Sequence, residues 1–147
     1  MLWAVDTSDC PYRNDINNKL RLAKYRIDNG LIGKEYYENE TYGENGFKSP
    51  TELLMWLINN QIEEELVFSH GDYCPPNIFI DDNKISGFID LGRAGIADKW
   101  QDIALCVRCI EHNFGKNSIY IDQLFDEIQL EANWKKIRYY ILLDELF

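Results

Sequence analysis

The stretch that decides the fold is LVFSHGDYCPPNIFIDDNKISGFIDLGR, residues 66–93. An apolar run, Leu66 to Phe68, ends in His70-Gly71-Asp72, and Asn77 follows five residues later. Two further apolar runs, Ile78 to Ile80 and Ile85 to Ile89, flank Asp81-Asp82-Asn83-Lys84, and the second ends in Asp90. The runs have strand length and strand composition, and the polar quartet between them reads as a hairpin connection. A carboxylate, an amide and a second carboxylate therefore stand at or just past strand ends, where a rigid base presents side chains for chemistry.

Outward from this stretch the pattern is helical. Ile16, Leu20, Ala23 and Ile27 share one face, with Asp15 as N-cap and Asn29-Gly30 as stop. Ser49-Pro50-Thr51-Glu52 forms a capping box ahead of Leu53, Leu54, Leu57 and Ile58. Asp98-Lys99-Trp100-Gln101 is a second box, followed by Trp100, Ile103, Ala104, Val107 and Ile110 on one side and Gly115 as stop. Ser118 starts a helix through Leu130 that turns Ile121, Leu124, Phe125 and Ile128 inward. Asn133 starts the last, with Trp134, Ile137, Tyr140, Ile141 and Leu143 buried. In the irregular lead, Trp3 and Val5 are candidates to dock on the core. Residues 30–48, with Gly30, Gly33, Gly43 and Gly46 among acids and tyrosines, read as a long acidic loop with at most a helical turn. Glu63-Glu64-Glu65 reads as a solvated face. The expected class is α+β, mainly α, one unit over 1–147 with a small antiparallel β element carrying the His70–Asn77 segment.

The 147 residues carry a net charge of −10, with 46% hydrophobic and 14% aromatic residues, which suits a globular chain with a real core. The acidic balance disfavours duplex nucleic acid and suits a cationic ligand. No apolar run is long enough to span a membrane and the N-terminus does not read as a signal peptide, so a cytoplasmic location is expected. The four cysteines include Cys106-Val107-Arg108-Cys109, inside a helical pattern and without a second ligand pair, so they read as ordinary thiols rather than a zinc site.

On residue chemistry alone three readings of the central stretch stand. Asp72 acts as a base while Asn77 and Asp90 hold Mg²⁺, as phosphoryl transfer requires. Alternatively His70 and Asp72 ligate a hydrolytic metal. Otherwise the glycine and prolines shape a turn and the acids face water.

His70-Gly71-Asp72 to Asn77, then Gly87 to Arg93, then Ala97 to Ala104, resemble the aminoglycoside O-phosphotransferase family. The closing YYILLDELF, residues 139–147, resembles the 3′-phosphotransferase branch, near its type III members. The resemblance implies a protein-kinase-like fold, ATP and Mg²⁺ as cofactors, and phosphorylation of a cationic antibiotic such as kanamycin. Carried over by position, it implies that Asp72 is catalytic, that Asn77 and Asp90 are metal ligands, and that His70, Arg93 and Asp102 support the catalytic loop. It implies substrate contacts from Glu111, Asp144, Glu145 and the Phe147 carboxylate, and more weakly from Glu35, Glu38 and Glu40 of the acidic loop. Glu111 stands one position from the acid that the family carries there. Nothing in residues 1–65 matches the family's nucleotide-binding lobe or the first helix of its C-terminal lobe. The expectation is therefore a C-terminal lobe alone, with little or no kinase activity by itself and apolar surface that favours self-association. The rival expectations are a choline- or sugar-kinase-like enzyme of the same fold, and a non-catalytic binding module.

Overall fold

A computed structural model describes residues 2–33 and 37–147. The chain orders its elements as α1 (Ile16–Asp28), α2 (Asn39–Tyr42), α3 (Pro50–Asn59), β1 (Leu66–Ser69), β2 (Ile78–Asp81), β3 (Lys84–Phe88), β4 (Gly95–Asp98), α4 (Lys99–Phe114), α5 (Ile119–Ile128) and α6 (Trp134–Asp144). Helices α1, α3, α4 and α6 enclose one core, and α5 packs on α4. Ile16, Leu20 and Ala23 of α1 meet Leu53 and Leu57 of α3, Ile103, Ala104 and Val107 of α4, and Ile137 and Leu143 of α6 in that core. Burial of such aliphatic side chains stabilises by roughly 1.5–3 kcal/mol each.

The helix starts follow their sequence signals. Asp15, Ser49, Asp98, Ser118 and Asn133 each accept a backbone N–H of their own first turn. The reciprocal halves of the two capping boxes are used differently. Glu52 reaches the N–H of Lys48 rather than that of Ser49. Gln101 turns away from its cap to donate to the Gly71 carbonyl at 2.9 Å. Gly115 ends α4 with φ of 90°, a conformation that costs other residues more.

There are two antiparallel ladders rather than a single β element. β1 pairs with β4, Leu66 opposite Asp98 through Ser69 opposite Gly95. β2 pairs with β3, and the turn residues Asp82 and Asn83 take φ of 46° and 58°, as a type I′ hairpin needs. β4 is the strand that the sequence reading lacked. Its partners lie about thirty residues away, and the lead residues secure its other side, Asn14 N–H to the Ile96 carbonyl and Ile96 N–H to the Tyr12 carbonyl.

Several burial expectations are corrected. Val5, Ile58 and Trp134 are exposed: Val5 lies in the irregular lead, Ile58 next to the end of α3 and Trp134 at the first position of α6. The acids at 63 and 65 are exposed, as a solvated face requires, but those at 64 and 65 are also claimed by partners. Glu64 accepts the Ile16 N–H at the start of α1. Glu65 pairs with Lys99 and Lys136 and accepts the Trp100 indole N–H. These contacts hold the Glu65 carboxyl at about 2, with the Lys99 hydrogen bond the largest cause. Asp98 is fully buried and accepts the Tyr140 hydroxyl at 2.9 Å, which docks α6 onto the start of α4. No helix among the described residues is long and apolar enough to cross a membrane.

Candidate active site

β1 delivers the chain into His70-Gly71-Asp72, and the first turn of α4 receives it. The buried Asp102 carboxylate accepts four donors: the Ser69 hydroxyl at 2.9 Å, the His70 and Gly71 N–H groups at 3.0 Å, and the Trp3 indole at 3.2 Å. A carboxylate in the first turn of a helix also faces the positive end of its dipole. Gly71 has φ of 83°, and a Cβ there would lie 2.0 Å from the Arg93 carbonyl oxygen, so the turn requires glycine twice over.

His70 joins the two ends of the site. Its Nδ1 accepts the Asp72 N–H at 3.3 Å, so the ring proton sits on Nε2 and donates to the Ile89 carbonyl at 3.0 Å. The Ile89 N–H in turn donates to the Asn77 carbonyl at 3.0 Å. Asp72 is held at both carboxylate oxygens. Asn77 Nδ2 donates to Oδ2 at 3.1 Å and to the Asp72 carbonyl at 3.0 Å, while the Cys74 thiol donates to Oδ1 at 2.7 Å. Burial keeps that thiol far above the usual range, and Asp72 adds to the effect, so it remains a donor at neutral pH. Asp90 follows Ile89 in a left-handed conformation, φ 56°, and is exposed. The structure thus brings Asp72 and Asn77 into contact and sets Asp90 beside them through the Ile89 peptide.

Asn77 and Asp90 offer oxygen ligands only, and Asp90 makes no side-chain hydrogen bond among the described residues. That donor set fits Mg²⁺, which is held by one or two protein oxygens together with substrate phosphates. Among the described residues no three His, Cys, Asp or Glu side chains cluster to hold a metal by themselves.

A cavity of about 500 Å³ is lined by Glu38 and Glu40 of the acidic loop, Arg108, Cys109 and Glu111 of α4, and Glu145, and Cys109 connects it to this centre by lying next to Cys74, the partner of Asp72. Glu40 is paired with Lys116 at 2.7 Å on an exposed edge. Glu145 is pushed up to about 7, mainly by burial and then by the Glu38 carboxylate, with Arg108 opposing. Asp144 lies behind the cavity wall, bonded to Arg93 at 2.9 Å and to Arg108 at 2.6 Å, so two guanidiniums compensate its charge. Phe147 does not line the cavity. Glu35 lies outside the described residues. The roles of Cys74, Gln101 and Arg108 carry no motif and appear only once the elements are assembled.

The model of the phosphotransferase enzyme family matches residues 3–140. The chain belongs to that family. Aminoglycoside 3′-phosphotransferases of Enterococcus faecalis and Staphylococcus aureus are 49% and 47% identical to it across 149 residues. These alignments cover 100% of this chain but 54% and 55% of the relatives, in their C-terminal part. The chain spans about half the length of the curated relatives it matches. An aminoglycoside 3′-phosphotransferase of type VIII superposes with a TM-score of 0.82 at 28% identity, over 99% of this chain and 56% of that one. An aminoglycoside phosphotransferase of Streptomyces rimosus in complex with ADP and streptomycin gives 0.81 at 25% identity, over 99% and 57%. The α+β architecture of this chain is therefore the kinase-like one, with helices predominating.

Proposed function

We propose that this phosphotransferase lobe presents a hydroxyl of an aminoglycoside for transfer of the γ-phosphoryl group of ATP. The carrying observation is the Asp72–Asn77 pair, held rigidly from behind by Asp102 and opening beside a cavity with four glutamates. An aminoglycoside hydroxyl docks on Asp72 Oδ1 in place of the Cys74 thiol, and Asp72 orients it and accepts its proton as the phosphoryl group is transferred. Asn77 and Asp90 would hold Mg²⁺, which neutralises charge on the transferred group when bound. Glu38, Glu40, Glu111 and Glu145 receive ammonium groups of the antibiotic, while Asp144 acts through Arg93 and Arg108. The relatives named for aminoglycosides and the neighbour bound to ADP support this reading. The reaction belongs in the cytoplasm, where ATP is available, and involves neither nucleic acid nor membrane.

Calorimetry tests the recognition half directly. Kanamycin is expected to bind this chain with an affinity that falls as ionic strength rises, because several charges are paired in a half-open cavity. The affinity should also rise between pH 6 and pH 8. With Glu145 near 7 in the free protein, cation binding favours its carboxylate and releases a proton. Glu145→Gln should flatten that pH dependence. No heat at any ionic strength would count against the cavity as an antibiotic site. The same raised group makes the folded state hold a proton that the unfolded chain has lost, so Glu145 subtracts stability as pH rises from about 4.5 through about 7.

We propose in addition that the chain self-associates. Phe79, Ile80, Ile85, Ile89 and Leu91 are all exposed along the hairpin and its exit. Beside them lies an apolar cleft of about 550 Å³ bordered by Leu2, Trp3, Val5, Tyr73 and Phe88. Sedimentation velocity is expected to show the weight-average mass rising with concentration. A monomer that keeps one sedimentation coefficient across a hundredfold dilution series would exclude it.

A further inference from the structure

The last residue of the sequence is tied to the catalytic turn by a chain of contacts that substrate binding does not require. Arg93 is the link. Its backbone lies directly against Gly71, whose missing Cβ leaves room for the Arg93 carbonyl and Cβ. Asn14 fixes the same stretch from the other side, donating to the carbonyls of Arg93 at 2.9 Å and Ala94 at 3.1 Å. The Arg93 guanidinium donates to Asp144 and stands 5.9 Å from the centre of the Phe147 ring.

That ring is shared. Lys19 Nζ lies 5.0 Å from its centre and the Arg26 guanidinium 5.9 Å. Arg26 also donates to the carbonyls of Leu146 at 2.9 Å and Phe147 at 3.2 Å, which anchors the ring in place. Lys19 is only 6% exposed and forms no ion pair among the described residues, so the π-face of Phe147 and the more distant Asp144 carboxylate compensate its charge. Three cations on one ring repel each other, and the ring together with the Asp144 carboxylate bonded to Arg93 offsets that repulsion.

We propose that Phe147 is a positioning residue: its ring seats the Arg93 guanidinium and so holds the Arg93 backbone against Gly71, fixing the turn that presents Asp72. The consequence for phosphoryl transfer rests on the reading of Asp72 given above; the placement itself does not. Phe147 therefore acts through its aromatic face, whatever its carboxylate does toward substrate. Leucine fills similar space without the π-face, and tryptophan restores the face.

The test is NMR of this chain with neither nucleotide nor antibiotic present, so its failure is separable from failure of the functional reading. Phe147→Leu is expected to remove the ring-current shifts of the Lys19 and Arg93 side-chain protons and to move the Gly71 and Asp72 amide signals. It should also lower the Lys19 ammonium further below its value of about 8, which burial already depresses most. Phe147→Trp should return the turn signals toward those of the parent. A folded Phe147→Leu chain with unchanged Gly71, Asp72 and Lys19 signals overturns the proposal, as does a Trp variant that restores nothing. Should the leucine variant not fold, Arg93→Gln decides. It is expected to move the same two amides and to raise the Lys19 titration, since Arg93 now lowers it. Unmoved amides in that variant overturn the proposal as well.

Discussion

Asp102→Ala is expected to destabilise the chain by about 3–5 kcal/mol, enough to unfold a marginal domain. The side chain is 1% exposed, and four donors converge on it. Alanine supplies no acceptor. The Ser69 hydroxyl and the His70 and Gly71 N–H groups would stay buried without their main partner, at about 1–3 kcal/mol for each unsatisfied group before relaxation. Gly71 keeps its contact to the Ser69 hydroxyl at 3.1 Å, which limits the sum. Asp102→Asn should cost less, because one carbonyl oxygen survives while the amide nitrogen faces donors. Urea melts at neutral pH measure both variants. An alanine variant within about 1 kcal/mol of the parent would show that Asp102 does not hold the turn.

Asp72→Ala is expected to separate chemistry from stability. In a phosphotransferase that contains this lobe, whether this chain or a complex of it with the N-terminal half of a relative, kcat for kanamycin phosphorylation should fall by about 10²–10⁴. Stability should change by less than about 1 kcal/mol, because Asp72 is only half-buried and its partners keep other contacts. Asn77 retains its bond to the Asp72 carbonyl, and Cys74 retains a longer one to the same oxygen at 3.6 Å. Turnover by the alanine variant within tenfold of the parent would remove Asp72 from the role of base. Positions 72 and 102 thus contrast: one carboxylate is half-buried with few obligations to the fold, the other is consumed by it.

What the sequence made legible is what local rules encode. The caps at Asp15, Ser49, Asp98, Ser118 and Asn133, the stop at Gly115 and the hairpin turn at Asp82-Asn83 depend on neighbours within a few residues. So does the spacing from Asp72 to Asn77. β4 was not legible, because a four-residue strand is defined by a partner far away in sequence. Nor was the second use of Gln101, since a capping glutamine and a loop-bracing glutamine look alike in one dimension. The partners of Glu64 and Glu65 were not legible, because the indole, ammonium groups and helix N-terminus that claim these acids come from three other segments. The ion pairs of Asp144 with Arg93 and Arg108 were not legible either, because their partners lie 51 and 36 residues away in sequence.

The two halves of the site also differ in how the chain encodes them. Asp72, Asn77 and Asp90 fall within one short stretch whose internal contacts are mostly local, closed by a tight hairpin. The glutamates of the cavity come from α2 and its approach, from α4 and from the end of α6, segments more than a hundred residues apart at the extremes. On the function proposed above, the phosphoryl-transfer centre is thus a compact inheritance unit, whereas the recognition surface is an assembly of parts that can vary independently. Exchange of a single acid in the cavity leaves the hairpin untouched, so under that proposal substrate range is free to drift while the chemistry stays fixed.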